Sequence, residues 1–258
     1  MDKSSRFSEV FDVFQNIEEY LKKIGEKGDN RFIFNQILVV CIITFLYGVT
    51  MGSSHSVLQA VVAGLKLIVL FLSTMIICLP SFYVIQLILG SRIKIRQVML
   101  IILSGYVLST TVMIAFSPII IFFLFTSGNY YFMQLLHIAI FLFSGFFGIR
   151  FIIEALKQSC EKENIYPRSG LTIFKIWAVI FVFVGIQLAW NLRPFLGDRD
   201  EPFAMFRKYE GNFYTAIIYS VKQLFIVKEL DSDDADKSYT RPELLDIIEN
   251  QEIKDSIK

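Results

Sequence analysis

A short basic link between two long apolar runs constrains this fold more than any other feature of the sequence. The link is Gly90–Gln97, which carries three basic side chains, and the apolar runs are residues 67–89 and 98–125. Each run exceeds the roughly 20 apolar residues that a helix needs to cross a bilayer. Because so short a link makes the two runs antiparallel, we predict a membrane hairpin with its basic tip in the cytoplasm.

The composition agrees with a membrane protein. Hydrophobic residues make up 54% of the 258 residues and charged residues 19%, whereas a soluble domain is about a quarter charged. A net charge of +1 argues against a nucleic-acid partner, which requires a clustered basic face. Three cysteines are too few for a disulfide framework. We therefore predict an all-α polytopic helical bundle.

The apolar blocks divide the chain into four regions. We predict five transmembrane helices, at residues 32–51, 67–89, 98–116, 133–153 and 171–192. The regions are a cytoplasmic leader with an amphipathic helix (1–31), the membrane domain (32–192), an outer interfacial loop with an amphipathic helix (193–228) and an acidic extracytoplasmic tail (229–258). The helix at 213–227 is short for a span and contains Lys222. We predict that it lies in the interface, and leave a sixth span open.

Lysine and arginine are distributed unevenly between the loops. The leader holds six, the 91–97 loop three and the 150–175 region five, whereas the two short outer turns hold none. By the positive-inside rule the amino terminus is cytoplasmic and, after five spans, the carboxyl terminus is extracytoplasmic. The leader favours a bacterial plasma (inner) membrane as the location.

Two apolar blocks are longer than one span. A lysine at the bilayer centre costs roughly 3 kcal/mol, so we expect 57–66 to lie along the outer surface and the span to begin after Lys66. Ser117-Pro118 predicts a helix break, with 119–125 along the surface or dipping in shallowly. In the fourth span, Gly145 and Gly148, with Ser144, suit close helix approach.

The central hairpin resembles the Yip family of five-span proteins, named for their interaction with Ypt/Rab GTPases. The residues that carry the resemblance are Leu89-Gly90, Ile95-Arg96-Gln97 and Gly105-Tyr106, together with the polar helix end 149–157 and the turn 167–170 before the fifth span. The resemblance covers about 32–192. It implies five spans and an inside amino terminus, and no catalytic residue.

The segment that follows the fifth span is aromatic and charged, and it supplies the candidate outer gate or docking surface. Its candidate residues are Trp190, Arg193, Phe195, Asp198, Arg199, Glu201, Phe203, Arg207 and Glu210. The arginines of this set either present fixed charge to an ion or partner, or pair with the neighbouring acids in a self-satisfied interfacial cap.

Polar residues within the spans or at their edges are candidates for a hydrated path. They are Lys66, Thr110, Thr111 and Gln187. The alternative is that hydroxyl groups stabilise helix contacts, as they do in any bundle. The predicted spans hold no Asp or Glu to carry protons. His55 and His137 show no ligand spacing, so we expect no metal site, and in the absence of a nucleophile or phosphate-loop motif no cofactor and no enzyme activity.

Two functions remain after these exclusions. The first is a non-enzymatic Yip-like scaffold or assembly subunit, and the alternative is an oligomeric ion channel or pore with a charged outer vestibule. Both imply membrane lipid as a partner, together with self-association or a membrane-protein partner.

Overall fold

A computed structural model describes residues 30–88, 94–126, 129–161, 169–197, 205–206 and 213–233. The regular elements in these ranges are all helices: α1 (Asn30–Gly52), α2 (Val57–Ile88), α3 (Ile95–Ala115), α4 (Ser117–Thr126), α5 (Tyr130–Glu161), α6 (Ser169–Leu192) and α7 (Phe213–Asp233). The predicted leader helix and most of the acidic tail lie outside the described residues.

Five segments are long and apolar enough to cross a membrane. They are 30–52, 57–85, 95–126, 130–158 and 175–192. The predicted all-α fold with five membrane-spanning helices is therefore confirmed, and the chain has the architecture of a multi-pass membrane protein. Among the described helices, α7 does not belong to this set.

Contacts between helix ends establish the threading. The Arg96 guanidinium donates a 2.8 Å hydrogen bond to the Asn30 side chain, so α1 and α3 begin at the same end of the bundle, here called the proximal end. Phe82 packs on Trp177 with ring centroids 4.3 Å apart, and Gly185 lies beside Thr74. Because these pairs run in opposite directions along the chain, α2 and α6 are antiparallel, and α6 ends at the opposite, distal end with Gly52 and Val57.

Helix α3 is the central helix. The Gln36 amide from α1 donates to Ser104 Oγ at 2.8 Å. The Tyr106 ring contacts Phe71 of α2 at 5.1 Å and Phe181 of α6 at 5.8 Å. Most α3 residues from Val98 to Thr110 are buried. A helix that is apolar nearly all round suits either a protein core or a membrane, and the contacts with α1, α2 and α6 place α3 in the middle of the bundle.

Small residues bring α5 against α3. A Cβ built on Gly148 would lie 2.8 Å from the Gly105 carbonyl oxygen and 2.9 Å from Ser109 Cβ, whereas a Cβ on Gly145 meets nothing within 4 Å. The prediction of close approach is right for Gly148 and wrong for Gly145, because Gly145 lies about 60° further round the helix, where a Cβ meets no neighbouring atom.

The closest helix contact joins α1 to α2. A Cβ on Gly48 would lie 2.5 Å from Gly64 Cα, and one on Gly52 would lie 2.7 Å from Ala60 Cα. The two backbones therefore touch, which only small residues four apart on both helices permit.

Apolar side chains fill the bundle in two layers. The proximal layer draws buried residues from all five spans, among them Val40, Phe82, Ile102, Ile152 and Trp177. The distal layer contains Tyr47, Met51, Leu67, Leu70, Met113, Ile120, Met133, Ile140 and Leu196. Leu196 lies beyond the end of α6, so part of the segment after the last span belongs to the core.

The first of the two long apolar blocks is one helix. The prediction that 57–66 lies along the outer surface is wrong, because α2 continues unbroken from Val57 to Ile88, about 48 Å at 1.5 Å per residue. Its distal turns are held on the bundle axis by the glycine contact with α1.

The second block divides as predicted. Helix α3 ends at Ala115 and α4 begins at Ser117. Ile120 of α4 is fully buried in the distal layer, while Phe122 and Phe125 are exposed.

Candidate functional site

The candidate site lies at the distal end, where α6 is shorter than α2. Thr74 of α2 faces Gly185 of α6. Because the two helices are antiparallel, Leu192, seven residues after Gly185, lies roughly level with Leu67, seven residues before Thr74. Helix α6 therefore ends at the depth of Lys66, and α2 continues about 13 Å beyond it. The residues after Leu192 fill this step.

Lys66 holds the chain at the point where α6 ends. Its side chain is buried, at 5% exposure. Its ammonium group donates to the Pro194 carbonyl oxygen at 3.1 Å and to the Met205 carbonyl oxygen, and lies 4.8 Å from the centre of the Phe206 ring. None of the described carboxylates pairs with it. Both acceptors are main-chain carbonyl oxygens outside the helices, and they satisfy donors of the ammonium group without an opposite charge.

Gln59 of α2 and His55, in the turn before α2, contact the same stretch of chain. The Gln59 amide donates to the Phe195 carbonyl oxygen at 3.1 Å and to the Pro194 carbonyl oxygen at 3.4 Å. Gly197 packs directly on His55, and any side chain at that position would collide with the imidazole. Residues 194–197 thus lie along the distal turns of α2. We call residues 193–197 and 205–206 the distal segment.

Three of the predicted docking residues lie together in or beside the distal segment. The Arg193 guanidinium lies over the Trp190 ring at 3.7 Å. The next residue, Pro194, which follows a cis peptide bond, accepts the hydrogen bond from Lys66. The Phe195 side chain packs against the distal layer. The remaining candidates, Asp198, Arg199, Glu201, Phe203, Arg207 and Glu210, lie outside the described residues.

The predicted path residues form no common hydrogen-bonded group among the described residues. The Thr110 hydroxyl donates to the Tyr106 carbonyl oxygen at 2.8 Å, and the Thr111 hydroxyl to the Val107 carbonyl oxygen at 2.7 Å. No hydrogen bond joins these threonines to Lys66 or Gln187 within the described part of the chain. A hydroxyl in an apolar bundle can be satisfied by its own helix, so their presence requires no water.

The sequence reasoning missed a buried polar pair in the same layer. Tyr47 of α1 and His137 of α5 are both fully buried, with Tyr47 Oη 2.9 Å from His137 Nδ1. The ring of Phe141, one turn on, meets the Tyr47 ring edge-on. His137 Nε2 has no hydrogen-bond partner among the described residues. The pair joins two spans that meet at the distal layer.

A double-mutant cycle measures this pair. We expect Tyr47→Phe to lower the free energy of unfolding by about 1 kcal/mol, since hydrogen bonds between membrane helices average about 0.6 and reach about 1.7 kcal/mol. The His137→Leu variant removes the same bond, so the double variant should cost less than the sum of the two. Steric trapping in bicelles gives all four values. Strict additivity would show that the bond contributes nothing to stability.

Sequence signals existed for part of this site. Gly48-x-x-x-Gly52 and Ala60-x-x-x-Gly64 are small residues four apart, the pattern of close helix contact. No local signal pairs Lys66 with carbonyl groups 128 and 139 residues away. Comparison with family models, curated proteins and solved structures finds no match to this chain. The fold and site therefore define the class of protein, a five-span helical membrane protein with a folded distal segment.

Proposed function

We propose that this chain is a non-enzymatic scaffold or assembly subunit of Yip-like architecture, which presents its distal segment to a membrane-protein partner or to a second copy. The observation that carries the proposal is the attachment of that segment by Lys66 and Gln59. A docking surface held in one conformation loses less entropy when it binds. The uneven charge of the loops supports a plasma-membrane location with the proximal end in the cytoplasm.

The filled interior favours the scaffold over a pore through one protomer. Both layers consist of apolar side chains drawn from several helices. The Lys66 ammonium group donates to main-chain carbonyl oxygens, and the threonine hydroxyl groups of α3 donate to carbonyl oxygens of their own helix. An ion path needs polar groups that face a common space, so a channel would have to form between copies.

Photo-crosslinking from two exposed positions tests the proposal. Met205 in the distal segment is 56% exposed and Phe146 on α5 is 60% exposed. With a photoreactive amino acid at position 205, we expect a discrete protein adduct in intact cells, and with the same probe at 146, lipid adducts. The Met205 contact with Lys66 uses a main-chain carbonyl group, so the substitution leaves it in place.

Two results would reject the scaffold. One is an identical pattern of lipid adducts from both positions. The other is an ion current across planar bilayers that the purified protein carries and that charge reversal at Arg193 abolishes, which would establish the channel instead.

A further inference from the structure

Helix α7 buries polar side chains and exposes apolar ones, the reverse of a surface helix on a soluble protein. Ser220 and Gln223 are buried, at 2% and 3% exposure, whereas Tyr214 and Ile218 are 51% and 57% exposed. At 100° per residue, the exposed apolar residues Tyr214, Ile218 and Val221 share one sector of the helix. Two polar residues, Ser220 and Gln223, therefore face the protein, while an apolar sector faces outward.

The buried face of α7 lies against α5. Ser220 Oγ lies 3.3 Å from Gln134 Oε1 of α5 and 2.8 Å from the Ala216 carbonyl oxygen of its own helix, and its single hydroxyl hydrogen can be donated to either acceptor. The Gln134 contact and the packing of α7 on α5 establish which face of α7 points inward.

Contacts at both ends of the described face place α7 at the edge of the membrane zone. Phe213 meets Trp190 in the last turn of α6, and Tyr219 meets Tyr131 in the first turn of α5. The helix therefore crosses the distal ends of two membrane-spanning helices. At that level a bilayer presents the boundary between headgroups and acyl chains, where tyrosine and tryptophan concentrate.

From these observations we propose that the exposed face of α7, formed by Tyr214, Ile218 and Val221, is a lipid-binding surface that inserts into the boundary of the distal leaflet. Lys222 lies on the flank of this sector and is exposed, where its ammonium group reaches the headgroups while its methylene stem follows the apolar surface. Helix α7 thus anchors the chain that continues from the distal segment, and this role does not depend on the identity of any partner.

Fluorescence quenching in phosphatidylcholine proteoliposomes tests the proposal. Dansylalanine is incorporated at position 218, and in separate proteins at 214 and 222, with position 146 on the exposed face of α5 as the membrane reference. We expect emission at 218 and 214 to be blue-shifted and quenched at least twofold by brominated acyl chains, as at 146, and little affected by iodide. At 222 we expect at least twofold stronger quenching by iodide than at 218.

Either of two outcomes overturns the proposal. Strong iodide quenching at both 218 and 214 would mean that the face is in water. A blue-shifted probe that neither quencher reaches would mean that protein, either a second copy or a partner, covers the face. Because 214 and 218 are exposed side chains, the probes do not disturb the Ser220 contact, and two positions guard against a local artefact at either one.

Discussion

Replacing Gly48 by valine is expected to separate α1 from α2 and to lower the free energy of unfolding by about 3 kcal/mol or more, the upper end of what overpacking usually costs. The new Cβ would stand 2.5 Å from Gly64 Cα and 2.9 Å from the Ala63 carbonyl oxygen. Both are main-chain atoms, so no side chain can rotate away and the helices must move apart. Steric trapping in bicelles measures the change.

Gly145→Val is the matched control. Both positions are glycines within membrane-spanning helices, but a Cβ at 145 meets nothing within 4 Å. We expect a change within about 0.5 kcal/mol, as for substitutions that touch nothing. Equal losses at the two positions would mean that valine acts through the helix itself, and that the α1–α2 contact carries no special stability.

Lys66→Met is expected to release the distal segment while the bundle stays folded. Methionine retains the apolar stem but removes the group that donates to the Pro194 and Met205 carbonyl oxygens. The Met205 carbonyl oxygen loses its Lys66 donor, and the Pro194 carbonyl oxygen keeps only the 3.4 Å bond from Gln59. A buried carbonyl group left without a partner costs roughly 1–3 kcal/mol. Arg199 and Arg207 follow the two attached stretches in the sequence. We expect trypsin to cleave after them at least about tenfold faster in nanodiscs, which corresponds to about 1.4 kcal/mol.

Lys175→Met controls for the loss of a lysine. Lys175 is exposed on α6 near the proximal end, so its removal should leave cleavage after Arg199 and Arg207 unchanged. Mass spectrometry of the peptides separates these sites from the others. If the Lys66 variant is cleaved at the wild-type rate, the ammonium group does not hold the segment, and the preorganised docking surface loses its main support.

The two substitutions act on the same end of the molecule. The glycine contact fixes the distal turns of α2 against α1, and those turns carry Gln59 and Lys66, which hold the distal segment. We therefore expect Gly48→Val also to raise tryptic cleavage after Arg199, because the scaffold for the segment has moved. Lys66→Met should leave the α1–α2 contact intact.

Much of the fold follows from the sequence. Uncharged apolar blocks longer than 18 residues predict spans because hydrocarbon excludes unpaired backbone groups and charged side chains. Ser117-Pro118 marks a break that the structure contains, between Ala115 and Ser117. Gly148 is a contact glycine, whereas its neighbour Gly145 is not. Composition identifies small residues, but only the packing decides which side of the helix meets another.

Lys66 shows where local reasoning ends. A lysine whose charge is solvated only by water and lipid headgroups must lie at the membrane interface, which is what the sequence predicts. The structure solvates it with main-chain carbonyl groups contributed by Pro194 and Met205, so α2 continues past it without a break. Protein groups replace water in the same way for the threonines of α3. Their hydroxyl groups donate to carbonyl groups of their own helix, so they can lie in an apolar bundle without water.

By itself, the sequence determined that the chain is a five-span helical membrane protein. The hydrophobicity of a stretch of residues is a local property, and it decides whether that stretch partitions into the bilayer. The tertiary structure alone decided that Lys66, Gln59 and the residues after Leu192 form one site, and that α7 turns Ser220 and Gln223 inward. Those arrangements depend on groups 86 to 139 residues apart, whose pairing lowers the free energy only after the helices have packed.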